Sequence, residues 1–204
     1  MPRRVLPTTI LILAAAASGA LWLLEEAGVD YVLEAVDIRA EDRQDTPEFL
    51  RASPMGKVPA LMDTLDNGTV YMADSAAICL YLADRYACGR LAPTLDDAAR
   101  GRYLYWMTYT PGAIEPAMSE KFGGWQVERA SCGWGNFDTI IEVLERGLAP
   151  GPWLLGKQFS AADVLVPTLL AEAFGGRLIR DDGATVVVDE HGHDHDDDAV
   201  GPHE

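Results

Sequence analysis

The chain has 204 residues, of which 49% are apolar and 24% are charged, and its formal net charge at pH 7 is −16. This composition is typical of a globular protein with a sizeable core, and it excludes collagen-like, coiled-coil and wholly disordered chains. Residues 181–204 hold nine acidic side chains and no basic one, so the tail is strongly acidic and the body mildly so. Both properties argue against a nucleic-acid partner, because binding to phosphate needs basic surface.

Two interpretations fit the apolar N-terminal run. Residues 5–24 carry no charge and pass through Ser18-Gly19-Ala20, so they resemble an export signal or a membrane span. The second interpretation is a buried strand over residues 8–13 followed by a buried helix over residues 14–27. We predict the strand and helix, and no membrane partner, since the helical pattern continues past any cleavage point to Glu25.

Strand and helix patterns then alternate up to residue 86. Residues 31–36 predict a second strand, and strand, helix and strand in succession predict a parallel βαβ unit. Apolar runs at 58–62 and 69–72 flank Asp66-Asn67-Gly68, which predicts a β-hairpin because Asn-Gly is a strong turn signal. Asp74-Ser75 predicts the N-terminus of a helix.

Beyond Asp96 the pattern predicts helices and no further strand. Helices are predicted over 100–109, 137–148 and 160–174, the last of which opens with a capping-box-like Ser160-Ala161-Ala162-Asp163. The chain therefore divides into an α/β domain over 8–86, a linker over 87–95, a helical domain over 96–178 and an acidic His/Asp-rich tail over 179–204.

The cysteines and the tail offer little metal chemistry. Cys79, Cys88 and Cys132 are too far apart for a disulfide framework, a CxxC redox pair or a four-cysteine zinc site. Scattered thiols favour a reducing compartment such as the cytoplasm. Residues 191–198 alternate His and Asp, which can bind a divalent transition metal loosely. An acidic tail of this kind is more typical of disorder, so we predict no metal site.

Three stretches in register carry a resemblance to a known family. They are Ser53-Pro54-Met55-Gly56-Lys57-Val58-Pro59-Ala60-Leu61, Asp74-Ser75-Ala76-Ala77-Ile78-Cys79-Leu80-Tyr81-Leu82 and Phe159-Ser160-Ala161-Ala162-Asp163. Through them the chain resembles the glutathione S-transferases over residues 8–175. The resemblance implies a thioredoxin-like N-terminal domain, an all-α C-terminal domain, a homodimer and a cytoplasmic protein that acts in detoxification.

The resemblance also implies which residues hold glutathione as a co-substrate. Val58 precedes Pro59, for which the cis form is expected, so that the backbone NH and CO of Val58 pair with the cysteinyl part of glutathione. The helix after Asp74 offers backbone NH groups and the Ser75 hydroxyl to the γ-glutamyl carboxylate. Asp74 is expected to bind the γ-glutamyl ammonium, and Lys57 a ligand carboxylate.

The residue that activates the thiol is missing from its usual place. Family members carry Tyr, Ser or Cys just after the first strand to favour the thiolate, whereas residues 12–17 read Ile-Leu-Ala-Ala-Ala-Ala here. Ser18 is the nearest hydroxyl, but it lies a turn inside the predicted helix. Three alternatives stay open: activation by the helix N-terminus and backbone NH groups, activation from the helical domain, or loss of catalysis. In the second, Tyr105, Trp106 and Tyr109 line the acceptor pocket, although core packing also explains such rings.

Two functions follow from the motifs. The first is an enzyme that conjugates glutathione to small, apolar electrophiles. The second is a binding protein that recognises glutathione but has lost turnover. A third class, an exported acidic metal-binding protein, leaves the three internal motifs unexplained.

Overall fold

The chain folds as a four-stranded sheet with its helices, followed by a second group of helices. A computed structural model describes residues 9–14, 19–36, 40, 45–173, 177–179 and 185–187. The elements in chain order are β1 (Thr9–Ala14), α1 (Gly19–Ala27), β2 (Tyr31–Ala35), α2 (Pro47–Ala52), β3 (Ala60–Leu65), β4 (Gly68–Ala73), α3 (Ser75–Tyr86), α4 (Ala99–Tyr109), α5 (Glu115–Gly123), α6 (Phe137–Leu148), α7 (Ala162–Ala173), β5 (Arg177–Ile179) and β6 (Thr185–Val187).

The first four strands form one mixed sheet in the order β2-β1-β3-β4. β1 and β2 are parallel, with Ile10 opposite Tyr31, while β3 is antiparallel to both β1 and β4. A parallel pair needs a crossover, and α1 supplies it. The element order and strand directions confirm the thioredoxin-like domain predicted from the sequence.

The predicted strand, helix and hairpin of this domain are present. The apolar N-terminal run forms β1 and α1, but the helix predicted over 14–27 is too long, because Ala14 ends β1 and the nine-residue α1 begins at Gly19. Within the described parts of the chain, no helix combines the length and the apolar character needed to cross a bilayer. Asp66 and Asn67 form the hairpin turn, with Leu65 paired to Gly68. β3 begins at Ala60 rather than at Val58, since the intervening proline has no N–H for the ladder.

The main hydrophobic core joins the sheet to helices of both halves. Leu61 of β3, Ile78 of α3 and Met107 of α4 are fully buried in one cluster. A smaller cluster on the opposite face of the sheet contains Phe49 of α2 and Met62 of β3. Neighbouring strand residues point to opposite faces, so Leu61 and Met62 serve different clusters. Burial of each large apolar side chain contributes about 1.5–3 kcal/mol.

Two arginines fasten the segment between α3 and α4 to its surroundings. Arg90 donates to the carbonyl oxygens of Glu26 and Ala27, at 2.6 and 3.0 Å, and so satisfies the C-terminus of α1. Arg100 of α4 donates two hydrogen bonds to the carboxylate of Asp84 in α3, at 2.5 and 2.7 Å. These bonds hold α1 and α3 against the start of the helical half.

Helices α1 and α7 are in direct contact although they are far apart in sequence. Gly19 allows the approach, because a Cβ there would lie 3.1 Å from Oγ1 of Thr168. The segment just before α7 is also tied down, since the N–H of Ala161 donates to the carbonyl of Leu91 at 2.8 Å. The last long helix thus packs on the first one.

The N-terminus of α7 is organised by Asp163, as the predicted capping pattern requires. One carboxylate oxygen accepts from the N–H and the hydroxyl of Ser160, at 3.0 and 2.9 Å. The other oxygen accepts from the N–H of Leu154 at 2.7 Å. Asp163 is 7% exposed. Three donors therefore converge on one buried carboxylate, and the capping prediction is confirmed.

Helix α5 is missing from the sequence prediction. The predicted helix ends at Tyr109, yet the chain continues through a π-helical turn over Thr110–Ile114 into α5. Pro111 and Pro116 have no N–H to offer to the preceding turn, and the N–H of Glu115 donates to the carbonyl of Thr110 in the i→i−5 pattern of a π-helix. The prolines therefore reshape the helix without ending it.

A second difference concerns the strand content of the C-terminus. The prediction that no strand follows Asp96 is wrong, because β5 pairs antiparallel with β6, with Arg177 opposite Val187. The pair crosses the predicted start of the tail at residue 179. Asp182-Gly183 is a turn signal, and Thr185 begins a β-branched run, so the local sequence favours a hairpin. The predicted His/Asp run at 191–198 lies outside the described residues.

Gly147 of α6 makes room for the Trp106 ring of α4, and its replacement should destabilise the fold. A Cβ at Gly147 would lie 2.3 Å from the ring, which is itself buried. We expect Gly147→Ala to lower the free energy of unfolding by about 1–3 kcal/mol in chemical denaturation, because the ring must move. Gly101→Ala is the matched control, since nothing lies within 4 Å of its added Cβ. Equal effects of the two substitutions would contradict the prediction.

Candidate functional site

The sheet register brings two of the predicted binding segments together. The β3–β4 ladder ends with Ala60 opposite Ala73, so the next residues outward are Pro59 and Asp74. Directly opposed residues in an antiparallel pair lie about 4.5–5.5 Å apart between Cα atoms. The Val58-Pro59 segment therefore lies beside the N-terminus of α3.

Ser53 holds the loop that leads to Val58 by two hydrogen bonds. The Ser53 hydroxyl accepts from the N–H of Lys57 at 2.9 Å, and its carbonyl accepts from the N–H of Gly56 at 2.9 Å. Ser53 itself is buried, while the Lys57 side chain is exposed. The Val58–Pro59 peptide bond is cis, as the resemblance implies. Ser53 therefore supports the segment that contains Lys57 and Val58. The sequence motif alone does not indicate this role.

Asp74 occupies part of the helix terminus that we expected a ligand to fill. Its backbone has φ 79° and ψ 125°, a conformation that residues other than glycine rarely adopt. Its Oδ1 accepts from the N–H groups of Ala76 and Ala77, both at 3.0 Å. A ligand carboxylate at the start of α3 is therefore left with the N–H and hydroxyl of Ser75. Backbone strain of this kind is concentrated at functional sites.

A second carboxylate, Glu115, acts on this end of α3 from the helical half. Glu115 is the first residue of α5 and follows the π-helical turn. Glu115 is exposed at the surface, but partial desolvation of its carboxyl raises its pKa, and the charge of Asp74 raises it further. The two carboxylates are therefore within electrostatic range of each other. The sequence signal for Glu115 is an acidic residue followed by proline at a new helix start.

The raised pKa of Glu115 gives a pH-dependent stability. A carboxyl whose pKa is higher in the folded state stabilises the protein at low pH, and that contribution is lost as the pH rises through the folded pKa. We expect Glu115→Gln to raise the Tm at pH 7 and to leave it unchanged well below the ordinary pKa of 4.5. Glu145→Gln, at another exposed helical position, is the control and should change the Tm little at either pH. A gain at both pH values for Glu115→Gln would contradict the prediction.

The three aromatic residues assigned to an acceptor pocket form one ring cluster. Tyr105 stacks on Tyr109 with ring centroids 5.1 Å apart, and Trp106 meets both rings edge-on at 5.0 and 5.6 Å. The cluster lies on the α6 side of α4, because Trp106 packs against Gly147. Core packing thus accounts for Trp106. Tyr105 is 46% exposed, so substrate contact by Tyr105 and Tyr109 stays a prediction.

The opposite side of α4 faces α3. Burial and the charge of Asp84 in α3 raise the pKa of Tyr103. Residues 103 and 105 point in directions about 200° apart on a helix. Tyr105 therefore lies on the side of α4 that faces away from α3. It contacts the electrophile only if that molecule binds on this side; otherwise other residues form the acceptor pocket.

The expected place of the thiol-activating residue, residues 12–17, lies only partly within the described chain. β1 ends at Ala14 and α1 begins at Gly19, so Ser18 and most of the alanine run fall between described segments. Among the described side chains, Cys79 is the thiol nearest in sequence to Ser75. Burial, with a contribution from the charge of Asp74, raises the pKa of Cys79 to about 12. Cys79 therefore remains a neutral thiol and cannot act as a nucleophile at neutral pH.

Thiol labelling tests this conclusion. We expect iodoacetamide at pH 8 to alkylate the exposed Cys88 and the half-buried Cys132 in the folded protein, and to alkylate Cys79 only after unfolding in guanidinium. Peptide mass spectrometry measures the three sites separately. Rapid alkylation of Cys79 in the native protein would overturn the prediction.

Known proteins share both the sequence pattern and the arrangement of elements. A family model described as glutathione S-transferase, N-terminal domain, matches residues 15–85. The disulfide-bond oxidoreductase YfcG of Escherichia coli K12 is 32% identical over 153 residues, which cover 69% of this chain and 68% of that protein. Glutathione S-transferase 1 of Zea mays is 42% identical over 150 residues, with the same shares of 69% and 68%.

A solved structure extends the similarity to the helical half. A glutathione transferase family member from Pseudomonas fluorescens Pf-5, crystallised with two glutathione bound, has a TM-score of 0.65 and 26% identity. The match covers 85% of this chain and 80% of that one. Coverage of this extent includes both the sheet and the helices that follow it.

Proposed function

We propose, since this chain belongs to the glutathione S-transferase family, that it binds glutathione and uses it as a nucleophile on small, apolar electrophiles. The observation that carries the proposal is the pairing of Ala60 with Ala73, which sets Val58-Pro59 beside Asp74-Ser75. Support also comes from the similar Pseudomonas fluorescens structure, which has glutathione bound. Removal of reactive electrophiles would make the role one of detoxification.

Each part of glutathione has a complementary group in this arrangement. The backbone of Val58 pairs with the cysteinyl unit, and the N–H and hydroxyl of Ser75 bind the γ-glutamyl carboxylate. Asp74, at the start of α3, attracts the γ-glutamyl ammonium by its opposite charge. Lys57, with its exposed ammonium, binds the remaining carboxylate.

Thiol activation is the step that separates the two candidate functions. A free thiol has a pKa of about 8.5, so the site has to stabilise the thiolate for attack at neutral pH. In the enzyme, backbone N–H groups at a helix N-terminus provide that stabilisation, or a side chain of the helical half does. In the alternative, a binding protein without turnover, neither does. Tyr105 and Tyr109 are the proposed contacts to the electrophile.

Titration with glutathione, followed by activity assays, tests the proposal. Isothermal calorimetry measures binding, and a panel of chlorinated nitroaromatic and α,β-unsaturated carbonyl compounds measures conjugation. A glutathione-containing disulfide joins the panel because one relative is named a disulfide-bond oxidoreductase. Binding with conjugation supports the enzyme, and binding without turnover supports the alternative. No binding by folded protein would overturn both.

We further propose a cytoplasmic homodimer, as the resemblance implies. Sedimentation velocity at micromolar concentration tests the dimer, which should sediment as a single species of about twice the 22.1 kDa chain mass. A single monomeric species would overturn it. Fractionation of the cells that make the protein tests the location.

A further inference from the structure

A buried carboxylate lies between the sheet and α3, away from the residues discussed so far. Asp63 of β3 is 0% exposed. Its Oδ2 accepts from the hydroxyl groups of Tyr81 and Tyr86, at 2.6 and 2.5 Å. The Nε of Arg85 lies 3.6 Å from the same oxygen. We call these four residues of β3 and α3 the Asp63 cluster.

The Asp63 cluster joins β3 to α3 at a high cost in desolvation free energy. Within the part of the chain that the structure describes, the buried Oδ1 of Asp63 has no hydrogen-bond partner. Burial and the hydrogen bond to Asp63 raise the pKa values of Tyr81 and Tyr86, so both hydroxyls stay protonated donors. Apolar side chains of similar size would fill such a space without the desolvation cost of a carboxylate. The polar cluster instead fixes the relative position of β3 and α3, because hydrogen bonds are directional and apolar contacts are not.

β3 and α3 are also the two elements that carry the proposed glutathione site. β3 begins directly after Val58-Pro59, and α3 begins at Ser75. Asp63 holds α3 at two points, Tyr81 and Tyr86, which are about 7.5 Å apart along the helix axis. Two attachments to one oxygen resist both sliding and rotation of α3 on β3. Any such movement would change the gap between Val58 and Ser75.

We propose that Asp63 is a positioning residue for glutathione, which sets the gap between Val58 and Ser75 by holding Tyr81 and Tyr86. The proposal rests on the glutathione binding proposed above. Asp63 lies four residues along β3 from Pro59, about 13 Å away, so it acts through the two elements and not by touching the ligand.

Three variants separate positioning from plain stabilisation. Asp63→Asn keeps the shape but removes the charge. Asp163→Asn is the matched control, because Asp163 is also buried and accepts several hydrogen bonds, but in the helical half. The triple variant Asp63→Leu/Tyr81→Phe/Tyr86→Phe replaces the carboxylate and both hydroxyls with apolar groups, which is often close to neutral for stability. It leaves the fourth member, Arg85, to be solvated by water, since that side chain is 42% exposed.

We expect Asp63→Asn to weaken glutathione binding by about 5- to 20-fold in calorimetry at a temperature where it is fully folded. Where conjugation is measurable, the KM for glutathione should rise more than kcat falls. Asp163→Asn should lower the Tm while leaving the Kd unchanged. The triple variant should regain most of the Tm but not the affinity. Recovery of both in the triple variant, or an equal loss of affinity in Asp163→Asn, would overturn the proposal.

A second readout does not depend on the ligand. The N–H of Lys57 is bonded to Ser53, and those of Ala76 and Ala77 are bonded to Asp74, so their hydrogen exchange reports on both segments of the site. Faster exchange at these amides in Asp63→Asn and in the triple variant than in Asp163→Asn supports positioning. Unchanged exchange contradicts it. Failure of the wild type to bind glutathione would therefore overturn the proposed function alone, and amide exchange would still decide the role of Asp63.

Discussion

Asp74→Ala/Ser75→Ala abolishes the binding of glutathione in calorimetric titration while the protein stays folded. The double substitution removes the carboxylate that organises the first turn of α3 and the hydroxyl that is proposed to bind the ligand. Loss of a charged partner and of a buried hydrogen bond together should weaken binding by about 100-fold or more.

A matched pair at another helix controls for that experiment. Asp138→Ala/Thr139→Ala removes an exposed carboxylate and an exposed hydroxyl at the start of α6. This variant should bind glutathione with the affinity of the wild type. Undiminished binding by Asp74→Ala/Ser75→Ala would mean that the ligand sits elsewhere. Ser75→Ala alone separates the hydroxyl from the carboxylate.

Asp163→Ala lowers the free energy of unfolding by about 3–5 kcal/mol in chemical denaturation. Three donors lose their acceptor at once, namely the N–H and hydroxyl of Ser160 and the N–H of Leu154. Each buried donor left unsatisfied costs about 1–3 kcal/mol. A loss of this size is a large fraction of the stability of a typical domain.

Ser160→Ala calibrates the Asp163 result. It removes one of the three hydrogen bonds and leaves both backbone donors on the carboxylate, so the expected loss is about 1 kcal/mol. Equal losses for Ser160→Ala and Asp163→Ala would show that the two backbone bonds contribute nothing. The m-value should stay constant across the series, because the surface exposed on unfolding does not change.

Local signals are enough to locate most of the sheet and the proposed site. The hairpin follows from Asp66-Asn67-Gly68, in which Asp66 and Asn67 form the turn and Gly68 takes a positive φ of 142°. The position of Asp74 follows from the preference of short acidic side chains for helix N-termini. Features determined within a few residues of the chain are visible in the sequence.

Features that depend on distant partners are not visible in the same way. Asp63 reads as a polar residue near the end of a strand, and nothing local shows that Tyr81 and Tyr86 hold it from α3. The neighbours of Trp106 are equally hidden, because its fit against Gly147 depends on the packing of α4 on α6. Local propensity is a weak prior that tertiary contacts override.

The hydrogen-bond partner of the Asp74 side chain is also not predictable from the sequence. Its motif position predicts a partner for a ligand ammonium, but its Oδ1 turns back onto Ala76 and Ala77. An acidic side chain at a helix start can bind its own backbone or a ligand, and the sequence does not distinguish the two. The choice depends on what else competes for the helix N-terminus.

The contact between α1 and α7 has a consequence for synthesis on the ribosome. Gly19 meets Thr168 near the two ends of the described chain, so α1 emerges long before the helix that covers it. At about 5–20 residues per second, the delay is on the order of ten seconds. Throughout that interval the nascent sheet carries an uncovered helix face. A chain that stalls before α7 would leave that face exposed, and exposed apolar surface makes incomplete chains prone to aggregate.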